Sequence, residues 1–229
     1  MPVSCFRTFG LHNRGNNKRE RRAVHSLGIQ KNTLSMASYK WQKMKIAWFT
    51  DTWLPTMDGV VCSLLSFKEE LEKRGHEVYI FVPGKENRDD FDNRIFYYKS
   101  RVFRRYPNYR MVPLRSLLSP RTDRIIDRVK PDIVHSHSPA FMGLHGLIAS
   151  RRGNTPLIFT YHTFLGDSVY LLSSSPFIQN AARNFLNSWL KWYFGRCDGI
   201  IAPSMAASKE IGAFTEKHIE VIPTGINPE

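Results

Sequence analysis

Three short stretches of this 229-residue chain place chemically capable side chains where a ligand could reach them. In His135-Ser136-His137-Ser138-Pro139 two imidazoles stand two residues apart, so on an extended strand both point the same way. In Thr160-Tyr161-His162-Thr163 a third imidazole sits among hydroxyls directly after an apolar run. Imidazole can exchange hydrogen bonds with a sugar hydroxyl, and it can also ligate a metal. With His145 nearby a zinc site is one reading, but no Cys or carboxylate completes a tetrahedral set in an evident pattern. A satisfied structural histidine is the other reading for His135 and His145. The third stretch, DTWLPTMDGV over Asp51–Val60, ends in Asp58-Gly59 ahead of a helical pattern. Glycine lets a backbone approach closely, and the free N–H groups of a helix start favour an anion such as a diphosphate. Gly59 lacks the companions of a GxGxxG or Walker loop, so this loop by itself reads as a simple turn and cap.

The elements that would position these residues alternate. Lys45–Thr50 is an apolar run suited to a buried parallel strand. Val60–Arg74 reads as an amphipathic helix stopped by Gly75, and Glu77–Val82 as a second strand. Strands are expected at Arg94–Lys99, Asp132–His137, Pro156–Tyr161, Gly199–Ala202 and His218–Ile222. Helices are expected at Pro120–Lys130, Ala140–Arg152 (ended by Gly153), Pro176–Arg196 and Ser204–Phe214. Arg101–Ser119 is basic and irregular and takes no assignment. The alternation predicts an α/β fold: a Rossmann-like, mostly parallel sheet with helices on both faces. In such sheets ligands bind at the carboxyl ends of the strands, where all three stretches fall.

Composition bounds the function. With 42% apolar residues, including 15 Phe, 9 Tyr and 5 Trp, the chain can fill a core and is not a disordered one. No run of about 18 apolar residues suggests a membrane span. The three cysteines, few and far apart, suit a reducing compartment and neither a disulfide framework nor a metal site. Most of the +13 charge sits in residues 1–43, where nine Lys/Arg face one acidic residue, Glu20. That leader shows no periodicity and reads as a disordered tail; a nucleic-acid-binding arm at Arg19, Arg21 and Arg22 is the weaker reading. The helix from Pro176 carries Phe177, Phe185, Trp189, Trp192 and Tyr193 at near-helical spacing. This reads first as a face packed on the sheet and second as a lipid or membrane contact. Arg101, Arg104, Arg105, Arg110 and Arg115, interleaved with aromatics, suit anionic headgroups or a phosphorylated acceptor, or a solvated loop.

The ordered set of motifs resembles family 4 of the retaining glycosyltransferases, which have the GT-B fold. Pro55-Thr56-Met57-Asp58-Gly59-Val60 matches its opening turn, and the Asp51–Pro55 lead-in is closest to lipid glycosyltransferases. His135–Pro139, Thr160–Thr163, Pro203-Ser204 and Ile222-Pro223-Thr224-Gly225-Ile226 match its later motifs. The resemblance covers about residues 44–229, and its specificity lies in five motifs in order.

The resemblance implies an acceptor-side, N-terminal half of a GT-B enzyme that transfers a hexose to a lipid or saccharide hydroxyl. It implies His162 near the anomeric centre, Asp58 assisting, and the Gly59 and Val60 amides at the donor diphosphate. Asp51, His137, Ser138, Thr163 and Ser204 fall to the acceptor or sugar. No metal and no cofactor are expected beyond a UDP-glucose or GDP-mannose type of co-substrate, and no nucleic acid. The location expected is cytoplasmic, peripheral on the inner face of an anionic membrane. The family's donor domain follows the Ile222–Ile226 motif, so the expectation is a chain whose nucleotide site lies on another segment or on a separate chain. A non-catalytic binding half is the rival reading.

Overall fold

The computed structural model describes residues 42–103, 106–162 and 175–223. The basic leader, Arg104, Arg105, Thr163 and Gly225-Ile226 lie outside them. Lys43–Glu229 forms one compact unit. Its sheet begins with β1 (Lys45–Phe49), which leads through α1 (Gly59–Lys73) to β2 (Glu77–Gly84). An edge strand β3 (Arg88–Asp90) and β4 (Ile95–Lys99) follow, then a hairpin of β5 (Arg101–Phe103) and β6 (Tyr106–Met111). A 3-10 turn (Leu114–Leu118) leads into α2 (Arg121–Val129), β7 (Ile133–Ser136), α3 (Phe141–Gly153) and β8 (Leu157–Thr160). The last elements are α4 (Pro176–Phe194), β9 (Gly199–Ala202), α5 (Met205–Gly212) and β10 (Ile219–Val221).

Eight strands form one sheet in the order β10-β9-β8-β7-β1-β2-β4-β3, parallel throughout except for β3, which runs antiparallel to β4 at the edge. The strand period of two splits β1 between two cores. Ile46 and Trp48 join Leu64, Val78 and Ile80 under α1, whereas Ala47 and Phe49 join Phe81, Val134 and Phe159 on the opposite face. Each such buried Val, Leu, Ile or Phe side chain stabilises the fold by about 1.5–3 kcal/mol. The Rossmann-like reading therefore holds.

The structure corrects three expectations. Arg101–Ser119 is not irregular: it holds the β5–β6 hairpin and a 3-10 turn. Gly153 does not end α3 from outside. It is the last helical residue, and Asn154 takes the left-handed position at φ 47, which its short polar side chain tolerates. Cys197 is a free, buried thiol, and Cys5 lies outside the described residues. The aromatic face of α4 is not only a packing face. Leu190, Tyr193 and Phe194 are buried, whereas Phe177 is 82% exposed and Phe185 70%.

Candidate functional site

β1 and β7 are hydrogen-bonded neighbours whose onward connections diverge. β1 continues through α1 to β2 on one side, and β7 continues through α3 to β8 on the other. This is the topological switch point of the sheet, where the loops separate and leave a crevice at the strand ends. Every residue of the three motifs that is described lies on the loops or strand ends flanking it.

One tie spans the crevice floor. Asp51, two residues past β1, accepts a hydrogen bond from the Ser138 hydroxyl and another from the Met142 N–H at 3.0 Å. Ala140, at the start of α3, offers no side-chain cap, so Asp51 caps that helix from across the sheet. Ser138 also accepts from the Ala140 N–H at 3.1 Å. Burial raises the Asp51 pKa, and the bonds from Ser138 and Met142 offset part of that rise. Asp51 and Ser138 thus hold the two loops in register.

The helix they anchor packs unusually close. A Cβ on Gly143 would fall 1.8 Å from the Ser138 carbonyl oxygen, and one on Gly146 would fall 3.1 Å from the Phe49 ring. Tyr193, fully buried on α4, aims its hydroxyl at Ser136 Oγ (2.9 Å) and the Gly143 carbonyl (3.1 Å). Small residues three apart, Gly143 and Gly146, were the sequence signal for this approach.

Above the tie stands a histidine cluster. His137 Nδ1 lies 3.0 Å from His162 Nε2, and His135 Nε2 lies 2.7 Å from Thr160 Oγ1. The Trp48 indole meets both His135 and His137 edge-on, with ring centroids 6.2 and 5.0 Å away. Burial pushes the His135 imidazole down to about 3 and that of His162 to about 4, and His137 falls well below its ordinary value. All three are therefore neutral near pH 7 and act as hydrogen-bonding groups. Among the described residues no three His, Cys, Asp or Glu side chains are arranged to hold a metal. His145 belongs elsewhere. It is buried, with Nε2 2.8 Å from Ser116 Oγ and Nδ1 3.2 Å from Thr122 Oγ1, as its structural reading anticipated.

The start of α1 forms the other wall. Asp58 is its N-cap, accepting from the Val61 N–H at 2.8 Å, so this carboxylate is engaged with the backbone. Gly59 opens the helix with nothing within 4 Å of where a Cβ would stand. The half-buried Val60 packs against the smaller core. Ser204 caps α5 beyond β9, accepting from the Ala207 N–H at 3.1 Å. Thr163 lies outside the described residues.

The model of Glycosyltransferase Family 4 matches residues 57–229, most of the chain. The chain belongs to Glycosyltransferase Family 4. It is 31% identical to an alpha-monoglucosyldiacylglycerol synthase of Acholeplasma laidlawii over 80% of this chain and 47% of that protein. It is 27% identical to a GDP-mannose-dependent alpha-mannosyltransferase of Mycolicibacterium smegmatis over 74% of this chain and 44% of that one. The chain thus spans about half the length of the curated relatives it matches. A solved sucrose-phosphate synthase of Thermosynechococcus elongatus shares the fold, with a TM-score of 0.52 at 13% identity, over 81% of this chain and 49% of that one.

Within the family 4 frame, several residues escaped sequence reasoning. Trp48 looked like a core residue, and its ring contacts to two histidines follow only from strand pairing. A cavity of about 510 Å³ lies beside Asp51, lined by Trp53, Lys85, Arg88, Tyr97 and Arg110 among others. Of these, Trp53 stood in the Asp51–Pro55 lead-in and Arg110 in a basic cluster, while Lys85, Arg88 and Tyr97 carried no signal. Among the described residues no helix is long and apolar enough to cross a membrane.

Proposed function

We propose that this chain forms the acceptor-side wall of a retaining glycosyltransferase that moves a hexose from a nucleotide sugar to a lipid or saccharide hydroxyl. The observation that carries the reading is that an open glycine at a helix start follows β1 and a neutral, fixed imidazole follows β8, at the same end of the parallel sheet on either side of β7. The Gly59 and Val60 N–H groups and the positive end of α1 would face the donor diphosphate. His162, oriented by His137, would hydrogen-bond the transferred sugar beside its anomeric carbon. A neutral imidazole suits that task, since it can both donate and accept. Asp58 serves this site by fixing where α1 begins, and Asp51 and Ser138 by holding the crevice walls. The relatives, a glucosyldiacylglycerol synthase and a GDP-mannose-dependent transferase by name, support a nucleotide-sugar donor and a lipid acceptor.

The α4 surface supports delivery of that acceptor from a membrane. Phe177, Ile178, Phe185 and Trp192 are exposed and fall within an arc of about 100° at helical spacing, opposite the buried Leu190 and Phe194. Trp189 stacks between Phe185 and Trp192, with centroids 6.4 and 4.9 Å away. Such a face would lie at the acyl boundary with the basic Arg196 beside it. The stereochemical claim is tested by proton NMR of the first product: an α-linked hexose from an α-linked donor supports it, and a β-linked product removes it.

A further inference from the structure

The cavity beside Asp51 has a chemistry of its own. Trp53, Leu54 and Pro55 supply an apolar wall, and three cations, Lys85, Arg88 and Arg110, meet it from the β2–β3 loop, β3 and β6. Arg110 is the best fixed of them. Its Nε donates to Ser100 Oγ at 2.9 Å and its Nη2 to the Ser100 carbonyl at 3.0 Å. Ser100 in turn donates to the Gly84 carbonyl at 2.6 Å, so the guanidinium is braced by neutral groups of the sheet edge. A guanidinium carries five N–H donors, which leaves three for a ligand. Among the described residues no carboxylate pairs with Arg110 within ion-pair distance. Arg88 stacks over Tyr97 at 4.4 Å and meets Asp90 only at 3.9 Å on the exposed rim. The carboxylates of the cavity are Glu86 and Asp51, and Asp51 is spent on Ser138 and Met142.

We propose that this cavity is an acceptor subsite for an oxyanion, a phosphate or carboxylate carried near the reacting hydroxyl, with Arg110 as its fork and Arg88 and Lys85 as its rim. The proposal rests on the reading of the neighbouring crevice as the transfer site, and adds to it that the acceptor is charged. A braced fork with unused donors matches a planar or tetrahedral oxyanion, and the Trp53 wall matches an apolar portion attached to it.

The 229-residue chain is titrated calorimetrically with dihexanoyl phosphatidate, glycerol 1-phosphate and uncharged dihexanoylglycerol, alongside R110Q and R88Q variants whose unfolding midpoints are checked. Phosphatidate should bind at least about tenfold tighter than dihexanoylglycerol, and each variant should lose most of that preference. Equal affinity for glycerol 1-phosphate and phosphatidate would locate recognition in the anion alone; tighter phosphatidate binding would add the apolar wall. Both support the subsite. Equal affinity for the charged and uncharged lipids overturns it, as does no binding of any ligand, or anion affinity unchanged in both variants. Because the readout is binding, failure here leaves transfer to an uncharged hydroxyl standing, and failure of transfer leaves the anion affinity measurable.

Discussion

His137 Nδ1 and His162 Nε2 lie 3.0 Å apart at the ends of adjacent strands, so a single proton between them couples the tautomers of both rings. If His137 donates, His162 carries its own proton on Nδ1 and presents a donor to the crevice; if His162 donates, its Nδ1 becomes an acceptor. His137 is thus a positioning residue for His162.

The cluster makes the fold acid-sensitive. Burial holds His135 at about 3 and His137 well below its ordinary value, whereas in the unfolded chain both titrate near the usual 6.5. The unfolded state therefore binds more protons below pH 6.5. Stability is full above that value and falls as pH drops toward the folded pKa values. At pH 5.5 His135 alone should cost about 1.4 kcal/mol, and His137 adds to the loss in the same direction. His145, held at about 4, acts in the same direction, and Asp51, raised from 3.8, opposes it. Urea midpoints at pH 7.5 and 5.5 check this; equal midpoints would mean that the imidazoles are not buried neutral.

Gly59→Ala separates ligand approach from folding. Space is open at the Cβ position, so the unfolding midpoint should hold or rise slightly. Donor-dependent transfer should fall about tenfold or more, because the methyl group would meet the diphosphate at the helix start. Full transfer by this variant would move the diphosphate away from Gly59.

Gly143→Ala should do the reverse. Its methyl carbon would sit 1.8 Å from the Ser138 carbonyl oxygen, so α3 must lift from the sheet. A loss of about 3 kcal/mol is expected in thermal unfolding. A loss under 1 kcal/mol would show that the helix has room to shift.

Asp51→Ala removes two acceptors at once, leaving the Ser138 hydroxyl and the Met142 N–H without their partner. The expected cost is about 2–4 kcal/mol, with Asp51→Asn losing less because its amide oxygen can still cap α3. Equal stability of the two variants, read by chemical denaturation, would contradict the capping role.

The legible parts of this molecule were those that depend on local pattern. Apolar runs such as KIAWF announce buried parallel strands, and the strand–helix alternation implies the sheet. The histidine motifs were visible for the same reason, since each lies directly after such a run. β3 was not legible because RDD is wholly charged and sits on an edge, where no burial demands apolar residues. The β5–β6 hairpin hid behind its arginines and Pro107. The Asp51–Ser138 tie joins residues 87 positions apart, and no spacing rule reaches that far. Arg110 could not be told from its neighbouring arginines, because what distinguishes it is Ser100 on the adjacent sheet edge.

The central claim is that hexose transfer takes place at the crevice beside His162. Its most direct test is turnover of labelled UDP-glucose or GDP-mannose onto diacylglycerol, glycosyldiacylglycerol and phosphate-bearing lipid acceptors, by protein that carries this chain together with a family 4 donor-binding domain. Parent and His162→Ala are compared at matched unfolding midpoints. A fall of about 100-fold or more in kcat is predicted for the variant. Unchanged kcat would contradict the account.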